Sequence, residues 1–183
     1  NDLVTAVLRG LLLQGRDVIG TFGLLGDDRG TLVFIDRTLL SNLVPYLVTG
    51  LGKASPRDLV TFHLVQRDSQ GAPLITSGGM FLRNHHLYVV LANARTSPSV
   101  TQYETTYEPN TRSNPLVPIA RFKFKASFQP AEARIETAEA KKMDAWEGYL
   151  DESKVVVVDL ERLAKSLPLP SAAIPAIPAN VKP

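Results

Sequence analysis

The 183 residues hold 20 Lys and Arg against 18 Asp and Glu, a formal charge of +2 that is too small to argue for a nucleic-acid partner by itself. At 44% hydrophobic the chain can bury an ordinary domain core, and it must do so without disulfides because it contains no cysteine. The same absence excludes thiol nucleophiles, Cys-ligated zinc and iron–sulfur clusters, and leaves the redox compartment open.

The chain opens on Asn1 rather than methionine, which reads as a processed product that has lost a leader; no secretory signal stands in the sequence itself. Asp2 is the expected N-cap of a helix running to about Gln14, with Leu3, Val4, Val7, Leu8, Leu11 and Leu12 on one face and Gly15 as its stop. Arg9, Arg16 and Asp17 interrupt this apolar opening well before the roughly 20 residues a membrane span requires, so a buried amphipathic helix is expected. GDDRG at 26–30 marks a turn, and TLVFI at 31–35 has the β-branched and aromatic content of a buried strand.

Asp36 or Thr38 should cap a second helix, whose core-facing stripe is Leu39, Leu40, Leu43, Val44, Leu47, Val48 and Leu51. Pro45 either kinks it or belongs to the first turn of a helix that starts later, and Gly50 or Gly52 should end it. From Asp58 the pattern turns to strands: DLVTFHLVQ, a turn at RDSQGAP, LITSGGMFLR, a tight NHH turn, and LYVVLANAR, the last two strands forming a hairpin. QYETTYE at 102–108 alternates as an edge strand, PNTRSNPLVP reads as a loop, and ARFKFKASF at 120–128 as a further strand with its Phe residues inward.

Residues 130–150 read as a helix, or helix and loop, anchored by Ile135, Ala138, Trp146 and Leu150. VVVVDL is a short apolar strand followed by a helical turn through Ala164. The order of elements predicts an α+β fold, a mainly antiparallel sheet of about five or six strands packed against two or three helices. Residues 1–166 are expected to form a single domain, and 167–183 a Pro/Ala-rich tail, extended or disordered. Were that tail to dock, Leu167, Leu169, Ile174 and Ile177 would be its anchors, and the groove receiving them the best candidate for a partner site.

The motifs that betray enzymes are missing. TGLGKAS at 49–55 lacks the glycine a phosphate loop needs at position 47 and the hydroxyl it needs at 54. Ser77, in SGG, has no nucleophile elbow around it, and its glycines fit a bulge or a close backbone approach. His85 and His86 are adjacent in a predicted turn, a poor geometry for two metal ligands. No cofactor or metal is expected.

The surface singled out for binding is Arg121, Lys123 and Lys125 on alternate positions of one strand, with Tyr103 and Tyr107 as potential stacking partners. The plainer account makes those cations the wet face of a strand and the tyrosines rim packing.

The reading these features support is a non-catalytic binding or scaffolding domain of a bacterial cell envelope, such as a periplasmic lipoprotein without its leader, with a protein or envelope component as partner; a cytoplasmic setting is the alternative. Nucleic acid is not the expected partner, and no transmembrane segment is expected. The rival function is a hydrolase whose site assembles only in the fold from His63, His85 and Asp36. A third reading, weak nucleic-acid or anion binding, needs the basic strand to join Arg83, Arg95 and Arg112 in one patch.

Overall fold

The computed structural model describes residues 2–14, 31–34, 36–55, 57–97, 110–119, 124–144 and 151–167. In chain order these form α1 (Asp2–Gly10), β1 (Leu11–Gln14), β2 (Thr31–Leu32), α2 (Arg37–Lys53), β3 (Val60–Arg67), β4 (Pro73–Arg83) and β5 (His86–Thr96). A single helical turn, α3 (Asn110–Ser113), precedes β6 (Lys125–Phe128), β7 (Arg134–Ile135), α4 (Thr137–Asp144), β8 (Val155–Asp159) and α5 (Leu160–Ser166). The architecture is α+β, as the run of hairpin-linked strands predicts: a five-stranded antiparallel sheet ordered β3-β4-β5-β8-β7 and a smaller sheet ordered β2-β1-β6.

The strands with no polar side explain the layering. In β8, Val156 and Val158 face one core while Val155 and Val157 face another; in β5, Leu87, Val89 and Leu91 face the first, and Tyr88 and Val90 the second. A strand covered on both faces has no reason to alternate, so it reads as a continuous apolar run. The larger core lies between this sheet and α1, α2, α5 and the small sheet; the smaller one, where Phe81 stacks on Tyr88 at 4.5 Å, lies against α4 and Leu116. Among the described residues no helix is long and apolar enough to cross a membrane.

Several boundaries differ from expectation. The first helix ends at Gly10, not Gln14, and Leu11–Gln14 form a strand paired with both β2 and β6. A side chain at Gly10 would overlap the carbonyl oxygen of Gln129 and the ring of Phe128, and the Gly10 carbonyl accepts a 2.9 Å hydrogen bond from the Gln129 amide. The helix end therefore docks on the end of β6, and three consecutive leucines serve a strand as well as a helix.

Asp36 is the N-cap of α2, its carboxylate accepting from the Thr38 and Leu39 amides, and the helix continues past Pro45 and both glycines to Lys53. Pro45 is exposed, so the Ser41 carbonyl it leaves without an amide donor faces water rather than core.

The Asn84–His85 turn carries the expected hairpin, with Asn84 at φ 54°, a conformation Asn tolerates. His86, expected in the turn, is the first residue of β5 and is buried. The helix expected over 130–150 is instead a 3-10 turn at Ala131–Ala133, then β7, then α4. Ile135 is buried, but through its pairing with Val157, and Ala140 is buried where Ala138 was expected. Trp146, Leu150, the 102–108 strand and the tail beyond Leu167 lie outside the described residues, and the loop from 110 begins with the α3 turn.

Candidate functional site

Of the five residues singled out for binding, Arg121, Lys123, Tyr103 and Tyr107 lie outside the described residues. Lys125 opens β6 and is exposed, while Phe124 before it is buried, with the Lys154 ammonium 5.1 Å from its ring centre. The cations that a binding patch would recruit are dispersed. Arg83 sits at the turn end of the β4–β5 hairpin, and Arg95 lies nine positions along β5 from His86, roughly 30 Å away at about 3.3 Å per residue.

The hydrolase candidates are likewise not assembled. His63 is the cross-strand partner of Ser77, and roughly 20 Å of strand separates that pair from the turn holding His85. Asp36 is occupied as a helix cap, and His85 lies 3.6 Å from the Glu161 carboxylate at the exposed start of α5. Burial first, and then the positive charge of Arg112, hold the His63 imidazole below its ordinary pKa of 6.5.

Ser77 has a structural task. It pairs with Asn93, but Ile75 pairs with Thr96 and Gly78 with Leu91, so β5 bulges on both sides of Asn93. Gly78 permits this, since a Cβ there would overlap the Val90 carbonyl oxygen. The Asn93 amide group donates to Ser77 Oγ and to the Val117 carbonyl, and its oxygen accepts from the Ile119 amide, all at 2.8 Å. Ser77 Oγ in turn donates to the Pro115 carbonyl at 2.8 Å. Both side chains are buried and fully engaged in clamping the 115–119 loop, which leaves Ser77 neither the access nor the free proton of a nucleophile.

Among the described residues a concave surface lies elsewhere, between α1 and α5. An open groove of about 880 Å³ has Leu12 and Leu163 as its floor and Leu3, Leu32, Pro130 and Leu167 around it. Small side chains leave the space open: Ala6 on α1 and Ala164 on α5 both line it. Leu12 and Leu32 are register partners in the small sheet, so both project from the same face; Leu32 is 44% exposed, a large apolar side chain left wet on the groove wall.

Asp2 and Arg9 stand at opposite ends of α1 on the rim, about 10.5 Å apart along the axis at 1.5 Å per residue. This volume falls within the usual range of ligand sites, and the lining is mainly apolar, with Thr5 and Gln129 as its uncharged polar members and Asp2 and Arg9 as its charged ones. The chemistry available is burial of apolar surface. Among the described residues no group of three His, Asp or Glu side chains could hold a metal.

Nothing in the sequence announces this groove. Its floor depends on Leu12 belonging to a strand, which the helical spacing hid, and its depth on alanines from two helices distant in the chain, a conjunction with no local signature. Comparison with family models, characterised proteins and solved structures finds no match, so the geometry alone carries the functional argument.

Proposed function

We propose that this chain is a non-catalytic binding domain, and that the α1–α5 groove receives an extended apolar peptide segment. The observation that carries the reading is the exposed Leu32 beside a floor of Leu12 and Leu163, bounded by the small residues Ala6 and Ala164. An apolar span of about 10.5 Å between Asp2 and Arg9 matches about three residues of extended chain at 3.3 Å each, with polar backbone beyond either end meeting the rim. A bacterial envelope setting is part of the proposal through composition, a cysteine-free chain with a Pro/Ala-rich tail; fractionating cells that express the whole gene checks it.

The groove is tested by selecting 12-residue peptides from a displayed library on the full chain. Selected peptides should be apolar at alternate or every third position, and should lose binding to Leu32→Glu and Ala164→Glu, both exposed positions that tolerate charge. Peptides whose affinity ignores both substitutions would place the binding surface elsewhere and defeat the reading.

A further inference from the structure

We propose that the resident ligand of the groove is this chain's own C-terminal segment, residues 168–183, bound in cis; the inference rests on the groove being a binding surface. Leu167 is at once the C-cap of α5 and part of the groove lining, so the segment begins inside the site it is to fill. Its backbone, at φ −73° and ψ 139°, is already that of a polyproline II helix. Pro168 and Pro170 favour the same conformation only as far as residue 170, about 9 Å on at 3.1 Å per residue, so for Ile174 and Ile177 to return to the groove the chain must turn back within residues 171–173, the stretch without proline.

Further along, the sequence IPAIPA at 174–179 repeats with period three, the period of that helix, which sets Ile174 and Ile177 on one face about 9 Å apart. Two isoleucines at that spacing fit the apolar span between Asp2 and Arg9, and Lys182, the segment's one charged side chain, complements Asp2.

The tether makes weak contacts sufficient. A short connection, here the six residues 168–173, gives an effective concentration on the order of 1 mM, so an intrinsic Kd of about 0.1 mM leaves the groove occupied about tenfold more than free. An outside segment must displace the tail and binds about tenfold more weakly than to an empty groove. The tail is thus an internal competitor that sets the threshold for a partner.

The absence of cysteine makes the test direct: Ala176→Cys gives one site for a nitroxide label on the full chain. The methyl signals of Leu3, Leu12 and Leu32 should lose most of their intensity, while Val65 and Leu82, exposed on the five-stranded sheet, keep theirs. Adding Leu169→Ser, Ile174→Ser and Ile177→Ser should restore the groove signals and raise the affinity of a library-selected peptide about tenfold.

Uniform weak broadening, or broadening that appears only when labelled chain is mixed with isotope-enriched unlabelled chain, overturns binding in cis. A peptide that still binds the triple variant through Leu32 then leaves the groove's function standing without its resident. Loss of both signals removes the two together.

Discussion

At Gly78 the obstacle to any side chain is the carbonyl oxygen of Val90, and because that atom belongs to the β5 backbone, only a shift of the strand relieves the overlap. Gly78→Ala should therefore cost about 1–3 kcal/mol or more, whereas Gly52→Ala, with nothing within 4 Å in helix α2, should gain about 0.5–1 kcal/mol; urea denaturation separates the two. The need for glycine in SGG was legible because an uninterrupted strand pattern gave it no other use. A bulge or a close backbone approach was expected at SGG; that the extra residues lie on β5 across from it was not legible, since Ala92 and Arg95 are ordinary strand residues and only the register reveals them. His63 is a second residue-scale case. Burial and then Arg112 lower its folded pKa below 6.5, so the unfolded chain takes up its proton at higher pH than the folded one. Its contribution to stability is complete above about pH 6.5 and declines as pH falls below that toward the folded value. His63→Gln should flatten the fall in urea midpoint across this window; an unchanged slope would assign the pH dependence to another group.

Helix α2 was recognisable through its cap, Asp36, because a carboxylate just before an apolar stripe does the same work in any context, whereas α5 was expected only as a helical turn and its cap, Asp159, is a finding of the structure. The strand β1 and the short β7 were hidden for the opposite reason: their pairing partners, β6 and β8, come more than twenty residues away in the chain, and the local pattern of LLLQ or RI is too short to carry a period. Pro45 sits on the exposed side of α2 without ending it, so Pro45→Ala restores an amide facing the Ser41 carbonyl and should raise stability by about 1–3 kcal/mol, read as a shift in the denaturant midpoint at constant slope. In α5 the cap carries a charge as well as a shape. Burial alone would raise the pKa of Asp159, but the Arg162 and Glu161 amides and the Arg162 guanidinium outweigh it and hold the carboxyl below the usual 3.8. The stabilisation is present above about pH 3.8 and is lost as pH falls through the lower folded value. Asp159→Asn keeps the one oxygen that accepts from both amides but loses the charge, so an acid titration should lose this step while helix content at neutral pH persists.

On the scale of the whole molecule, α1 from the beginning of the described chain and α5 from its end meet over the small sheet, and both contribute to the larger core through Val7, Leu8 and Leu163. The groove is therefore a seam between the first and last described elements rather than a feature of any one element, and a ligand in it bridges parts of the chain that local unfolding would separate. A groove ligand that ignores the unfolded chain should stabilise the fold by about 2.7 kcal/mol when present at 100 times its Kd. That gain should be spread across the core rather than confined to the site, because Leu163 and Val158 lie in one packed cluster. Amide hydrogen exchange with a library-selected peptide should slow in α1, α5 and β8 together. Slowing limited to α1, with the unfolding free energy unmoved, would show that the peptide covers the first helix without joining it to the last, and the seam would not be its site.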